Sequence, residues 1–306
     1  ERQRIKGENT MVMKFEKYFR PKTLEEAIKL VQEYGSDCKI VAGGTDVVIR
    51  LKAHMLRVKA IVDISAIPEL KNVEIGADKA VIGATHDLMS LSRDPALCNS
   101  QWEIVAECAG HVSSTQIRNR ATLGGNNCNA SPSADTTPGL LISDAVVNVI
   151  GPTGKRDIPI EDFFVGPGKT VLEQGEIVVS FTLPEQGERC AAAYHKHAIR
   201  GDTDISIVCV GVRIGLDADG TVNKARVALG AVAPKPIRAH AVEDLLVGKK
   251  LTDDVIEQAA RLAEQSITPI SDQRASAEYR KEMVYVNVKH MIREVAAKIG
   301  QAIPLQ

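Results

Sequence analysis

The stretch that decides the fold of this chain is Ile40-Val41-Ala42-Gly43-Gly44-Thr45-Asp46-Val47. Residues 38–42 form a short, mostly apolar run, which predicts a buried strand. Two glycines follow at once, and glycine can adopt positive φ and lets the backbone approach a ligand closely. Thr45 and Asp46 suit the start of a helical turn, whose free N–H groups attract an anion such as a diphosphate. A plain strand-to-helix turn without a ligand has the same short motif, so this stretch alone leaves both interpretations open.

A second pair of glycines lies about eighty residues further along the chain, in Thr122-Leu123-Gly124-Gly125-Asn126. A run of short amide, hydroxyl and carboxylate side chains follows, and such groups beside exposed backbone amides suit phosphates and ribose hydroxyls. Thr137 as N-cap, with Pro138 at the first helical position, predicts a helix that ends this loop. Two Gly-Gly turns, one in each subdomain, could bind the two ends of a diphosphate. Together they favour a ligand site over a solvated loop.

Length and composition exclude several classes of protein. A chain of 306 residues predicts two or three packed units, and 44% apolar with 25% charged residues is an ordinary globular balance. The net charge of -1 gives no sign of a nucleic-acid partner. No apolar run reaches the ~18 residues that span a bilayer. Residues 1–10 are charged, do not form a secretory signal, and are interpreted as a flexible extension.

Six cysteines are scattered along the chain without a CxxC pair, so neither a zinc nor an iron–sulfur site is expected. Reduced, scattered cysteines are typical of a cytoplasmic protein. His195 and His197 share one strand face, but without a third nearby ligand they do not predict a metal site. Residues 166–170 end like a phosphate-binding P-loop, yet position 163 is Phe where that motif needs glycine.

The predicted elements alternate irregularly between strands and helices, which favours an α+β fold over a doubly wound sheet. Thr23 and Glu26 form a capping box at the start of a helix that ends at Gly35. A helix is expected to begin at Thr85, and the polar segment 184–188 is the best internal boundary. Further strands are predicted at 58–64, 73–77, 80–84, 146–150, 156–160, 177–183, 191–199, 205–214 and 223–232, and further helices at 102–109, 252–265 and 276–298.

In combination and in this order, the motifs resemble the flavin subunits of molybdenum hydroxylases. They are AGGTD at 42–46, QIRNRATLGGN at 116–126 with Asp135 nine residues later, and YHKHAIRGDTDIS at 194–206. The resemblance covers residues 13 to about 295. Within the family, the runs at 131–138, 166–177 and 274–280 are most similar to the FAD subunits of xanthine dehydrogenases. The four-cysteine insertion of the benzoyl-CoA-reductase-like branch is absent.

The resemblance implies a fold and a set of FAD contacts. Residues 11–185 would form an FAD-binding domain of the vanillyl-alcohol-oxidase (PCMH) type with two α+β subdomains. Residues 190–300 would form a C-terminal α+β domain of the CO-dehydrogenase-flavoprotein type. No catalytic side chain and no metal ligand is implied, and Val112 and Val178 replace larger apolar residues of the family. The implied FAD-binding residues are Ile40, Val41, Ala42, Gly43, Gly44, Thr45, Asp46, Val47, Val112, Thr122, Leu123, Gly124, Gly125, Asn126, Asp135, Val178 and Lys196.

The implied function is electron transfer within a heteromeric complex. FAD would take electrons from a subunit with two 2Fe-2S clusters and deliver them to NAD. A molybdopterin-binding large subunit of the same complex would oxidise xanthine or hypoxanthine. A sister complex for carbon monoxide, nicotinate or another N-heterocycle is the alternative. A free-standing flavoprotein oxidase would need its own catalytic base or covalent flavin anchor, for which the sequence offers only the weak candidate His195. A non-catalytic ligand-binding module is the remaining alternative.

Overall fold

Thr23 begins the first helix, as the capping box predicts. Its Oγ1 accepts a hydrogen bond from the Glu26 amide (3.2 Å), while Glu26 Oε2 accepts one from the Lys22 amide (2.8 Å). The helix ends where Gly35 adopts a φ of 54°. The computed structural model describes residues 15–201 and 203–300. The extension predicted at 1–10 lies outside these residues.

The first unit is a parallel sheet of three strands in the order β1-β3-β2, with helices beside it. A small apolar core, which includes Ala27 and Val31 of the first helix, lies between helix and sheet. Its elements are β1 (Lys17–Phe19), α1 (Leu24–Tyr34), β2 (Cys38–Val41), α2 (Val47–Lys52) and β3 (Ala60–Asp63).

The second unit is an antiparallel sheet in the order β4-β5-β10-β6-β7, packed with short helices and a small hairpin. Trp102, Phe163 and Phe181 are fully buried in its core. Its elements are β4 (Val73–Ile75), β5 (Lys79–Gly83), α3 (Leu88–Leu91), α4 (Pro95–Cys98), α5 (Glu103–Gly110), α6 (Thr115–Arg118), α7 (Leu123–Cys128), α8 (Thr136–Ile142), β6 (Val146–Gly151), β7 (Gly154–Pro159), β8 (Phe164–Gly166), β9 (Lys169–Thr170) and β10 (Ile177–Pro184).

The third unit is an antiparallel sheet in the order β11-β12-β13-β14. Its elements are β11 (Cys190–His197), β12 (Val208–Leu216), β13 (Val222–Gly230), β14 (Ile237–Arg238), α9 (His240–Leu246), α10 (Asp253–Gln265) and α11 (Ala277–Lys298). The predicted α+β class is therefore confirmed.

The sheet of the third unit packs on both faces. Along β11, Ala193 belongs to the apolar core shared with α9–α11, whereas Ala192 and Tyr194 belong to the core of the second unit. This follows from the alternation of side chains along a strand. The buried Arg213 of β12 also reaches across and donates from Nε to the Ile142 carbonyl of α8 (3.0 Å). The third unit is thus joined to the second by a continuous buried surface.

Two predicted helix starts are wrong. The helix expected from Thr85 begins at Leu88, because Asp87 is the residue whose side chain accepts from the Ser90 amide, while the Thr85 hydroxyl donates to Leu70 O. The helix expected after Thr137 begins at Thr136 with Asp135 at the N-cap position. Thr137 instead donates from its hydroxyl to Asn127 Oδ1 (2.9 Å) and is buried within the helix.

Candidate functional site

A cleft of about 840 Å³ lies between the first two units, and residues 203–205 of the third unit lie at its edge. This volume is in the upper part of the ~300–1,000 Å³ that is usual for small-molecule sites, so the cleft suits a large ligand. Of the seventeen residues implied by the resemblance, fifteen line the cleft. Leu123 and Lys196 do not.

The first Gly-Gly turn needs its two glycines for different reasons. Gly44 has a φ of 77°, as predicted for one of this pair. Gly43 does not have positive φ, but a Cβ on it would lie 1.8 Å from the carbonyl oxygen of Arg120. The turn therefore packs directly against the backbone of the second unit, and Gly43 permits this contact.

The same turn offers backbone donors to a ligand. Residues 43–47 line the cleft, and within the described chain their amides make no hydrogen bond to a protein acceptor. The first intrahelical bond of α2 runs from the Val48 amide to the Gly44 carbonyl (3.0 Å). Unpaired amides at the start of a helical turn are the donor set that a phosphate group accepts from. The turn fits a diphosphate.

The second Gly-Gly pair differs from the expectation of a free turn with positive φ. Neither Gly124 nor Gly125 has positive φ, and both lie in the first turn of α7, for which Thr122 is the N-cap. The Gly124 amide donates to Ala84 O (2.8 Å) and the Gly125 amide to Thr122 Oγ1 (3.0 Å). A Cβ on Gly124 would lie 2.7 Å from that same Ala84 oxygen. The expectation of free amides here is wrong, because the glycine lets α7 pack against the end of β5.

Side chains of this second segment nevertheless remain available in the cleft. Asn126 Oδ1 accepts from the Thr136 hydroxyl (2.6 Å), which leaves the Asn126 amide nitrogen as a donor toward a ligand. Asn129, which the sequence interpretation missed, donates from Nδ2 to Asp46 Oδ1 (3.1 Å). This bond joins the first unit to the second across the cleft.

Asp135 lies where the three units meet, and its carboxylate is largely engaged by the protein. Tyr194 Oη (3.0 Å) and Ser206 Oγ (2.7 Å) donate to its Oδ1, and Lys196 Nζ (2.8 Å) donates to its Oδ2. Since a carboxylate oxygen accepts about two hydrogen bonds, only Oδ2 has room for a ligand donor. Burial raises the pKa of Asp135, and the Lys196 ammonium opposes that rise.

Lys196 does not line the cleft. Its side chain is 2% exposed and lies behind Asp135, where Nζ also donates to the carbonyl of His111 (3.0 Å). Leu123 is fully buried in the core of the second unit. Val112 and Val178 line the cleft and provide buried apolar surface there.

Two further groups at the cleft were not found from the sequence. Glu176 lines it and accepts from Arg156 Nε (2.6 Å) and Nη2 (2.7 Å), and the Arg156 guanidinium lowers the pKa of Glu176. Asp204 and Ile205 enter the cleft from the third unit. The polar run RGDTDIS was a signal for that loop, but its position depends on how the third unit packs.

Residues 15–201 and 203–300 contain no group of three or more His, Cys, Asp or Glu side chains that could bind a metal ion. Over the same residues, no helix has both the length and the apolar character needed to cross a membrane.

Comparison with known proteins gives the class and then the family. Residues 13–186 match the family described as the FAD binding domain in molybdopterin dehydrogenase, and residues 192–295 match the CO dehydrogenase flavoprotein C-terminal domain. The cleft therefore belongs to a FAD-binding flavoprotein. The chain is a member of the FAD-binding medium subunits of the molybdenum hydroxylase family.

Individual relatives are similar to this chain over nearly its whole length. The xanthine dehydrogenase FAD-binding subunit of Escherichia coli O157:H7 is 36% identical over 94% of this chain and 98% of its own. The nicotinate dehydrogenase FAD-subunit of Eubacterium barkeri is 30% identical over 89% and 93%. A carbon monoxide dehydrogenase structure from Hydrogenophaga pseudoflava, which lacks the Mo-pyranopterin moiety of its cofactor, has a TM-score of 0.90 at 31% identity, covering 94% and 99%. The predicted family, fold and cofactor are confirmed.

Proposed function

We propose that this chain takes electrons from an iron–sulfur subunit with two 2Fe-2S clusters and passes them through FAD to NAD. A molybdopterin-binding large subunit would oxidise xanthine or hypoxanthine in the same complex. The observation that supports xanthine or hypoxanthine as the substrate is the 36% identity to a xanthine dehydrogenase FAD-binding subunit, compared with 30% identity to the nicotinate dehydrogenase subunit. The same relay role with carbon monoxide, nicotinate or another N-heterocycle is the second candidate.

The charges of the cleft support a relay over a self-contained oxidase. An oxidase that acts on its own substrate needs a positioned acid or base. Of the five carboxylates that line the cleft, three form an ion pair with a basic side chain: Asp135 with Lys196, Glu176 with Arg156, and Asp204 with Arg200. A fourth, Asp46, accepts a hydrogen bond from Asn129. A carboxylate paired in this way is a poor general base. When bound, FAD itself supplies the one-electron and hydride chemistry.

We assign the protein's part to binding and orientation. The unpaired amides of residues 43–47 would bind the diphosphate, and Asn126 would donate to a neighbouring polar group. Val112 and Val178 would exclude water from the flavin. Lys196 would act on the cofactor through Asp135, since Asp135 lies between this lysine and the cleft. We also propose a cytoplasmic location, in agreement with six free cysteines.

Reconstitution tests the proposal. The isolated FAD-loaded chain should pass electrons from NADH to a dye and should not hydroxylate hypoxanthine. Adding the iron–sulfur and molybdopterin subunits should restore NAD reduction that depends on hypoxanthine or xanthine. Reduction that instead depends on nicotinate or carbon monoxide would select the second candidate. Hydroxylation by the isolated, metal-free chain would overturn the relay.

A further inference from the structure

Asn129 and Asp46 form a hydrogen bond that spans the cleft, although 83 positions separate them in the sequence. Both residues line the cleft, one on each side. Asn129 follows α7 of the second unit, and Asp46 precedes α2 of the first. The contact therefore joins the two halves of the cofactor site.

The orientation of Asp46 is unusual for its position. It is the N-cap residue of α2, where an aspartate normally accepts a hydrogen bond from an amide of the first helical turn. Its side chain makes no such bond and points instead to Asn129. The amides of residues 45–47, beside this carboxylate, make no hydrogen bond to an acceptor within the described chain.

A carboxylate at this place conflicts with a bound diphosphate, because both are negatively charged. Asp46 is accessible to solvent, yet the walls of the cleft surround it and raise the pKa of its carboxyl group. Arg50, one helical turn further along α2, opposes that rise. The carboxylate is thus close to the amides of the turn but is directed away from them by a neutral donor.

We infer that Asn129 is a positioning residue for FAD: it holds the Asp46 carboxylate toward the second unit and so keeps this negative charge away from the amides that would bind the diphosphate. The inference rests on the proposed placement of the diphosphate at residues 43–47. Without Asn129, the carboxylate is free to rotate toward the Gly-Gly turn, where its negative charge would repel the phosphate groups.

The test is the dissociation constant of FAD, measured by flavin fluorescence with the FAD-free full chain from about pH 8 to about pH 5. A hydrogen bond to a charged group contributes about 1.5–3 kcal/mol, so Asn129→Ala should bind FAD roughly ten- to a hundredfold more weakly at pH 8. Its affinity should recover as the pH falls and Asp46 takes up a proton. Asp46→Asn in the Asn129→Ala background should restore near wild-type affinity without this pH dependence.

Asn99→Ala is the matched control, because Asn99 is an exposed asparagine whose Nδ2 donates to Pro95 O (2.7 Å) outside the cleft. It should bind FAD as the wild type does. A loss in Asn129→Ala that is equal at every pH, or that Asp46→Asn does not rescue, would mean that Asn129 only ties the two halves together and would overturn the inference. Unchanged binding by Asn129→Ala would also overturn it. Gly44→Val tests the placement of the diphosphate separately from the role of Asn129. If this variant loses FAD, the placement at residues 43–47 stands, and if it binds FAD normally, that placement is wrong.

Discussion

Replacing Lys196 with methionine tests the buried ion pair between the third unit and the FAD-binding domain. The substitution keeps an unbranched apolar side chain out to Cε but removes the ammonium that donates to Asp135 Oδ2 at 2.8 Å. Both side chains are under 10% exposed, so solvent screens the remaining charge poorly. Breaking a buried pair by removing one partner costs about 3–5 kcal/mol, because the other charge is left uncompensated. For a chain of this size we expect a thermal midpoint lower by on the order of 10 °C at pH 8.

The pH dependence gives the sign of the effect. Burial already raises the pKa of Asp135, and without the ammonium this pKa rises further. A carboxyl group with a higher pKa in the folded state binds its proton more readily there than when unfolded. The stability of Lys196→Met should therefore increase as the pH falls toward about 5, and its deficit relative to the wild type should shrink.

Unfolding monitored by circular dichroism at saturating FAD, at pH 8 and near pH 5, measures the loss of stability and its pH dependence. The control is Asp135→Asn combined with Lys196→Met, in which no buried charge is left unpaired, and it should regain most of the lost stability. A deficit below about 1 kcal/mol, or one that is the same at both pH values, would refute the idea that Lys196 neutralises Asp135. The double variant would refute it as well if it were no more stable than Lys196→Met.

Three further predictions concern the cleft and its cofactor. Gly43→Ala should lose most FAD binding and lower the unfolding midpoint, because its Cβ would lie 1.8 Å from Arg120 O. The control is Gly166→Ala, whose Cβ meets no atom within 4 Å and which should match the wild type in flavin absorbance and melting temperature. Glu176→Gln should cost about 1 kcal/mol at neutral pH, since its partner Arg156 is 40% exposed. Arg156 lowers the pKa of Glu176 below its ordinary value of 4.5, so urea titrations should show this cost at full size above pH 4.5 and shrinking as the pH falls below it and the carboxylate takes up a proton. The purified chain should carry about one FAD, released by acid or heat because the contacts are non-covalent. Retention of the flavin after acid precipitation would contradict non-covalent binding. Elemental analysis should find iron, zinc and molybdenum near zero.

Local sequence signals determined the elements and the family of this protein. Thr23 and Glu26 cap α1 as predicted, because both partners lie within four residues of each other. The strand before Gly43 and Gly44 and the long helix from 276 to 298 were also predictable, since apolar periodicity and turn residues act over short range. The order of the motifs along the chain was sufficient to identify the family and the cofactor.

Tertiary structure decided what individual residues do at the site. The sequence could show that Gly124 is special, but not that Ala84 is the neighbour that demands a glycine there. It placed Lys196 against the flavin, whereas the packing of β11 directs this lysine to Asp135, 61 positions away. Asn129 lies in the polar run after Gly125, but the sequence did not single it out, because its partner Asp46 belongs to a different unit. Hydrogen-bond partners and steric neighbours across a cleft depend on how separately folded units pack, and that information is not contained in any single stretch of the chain.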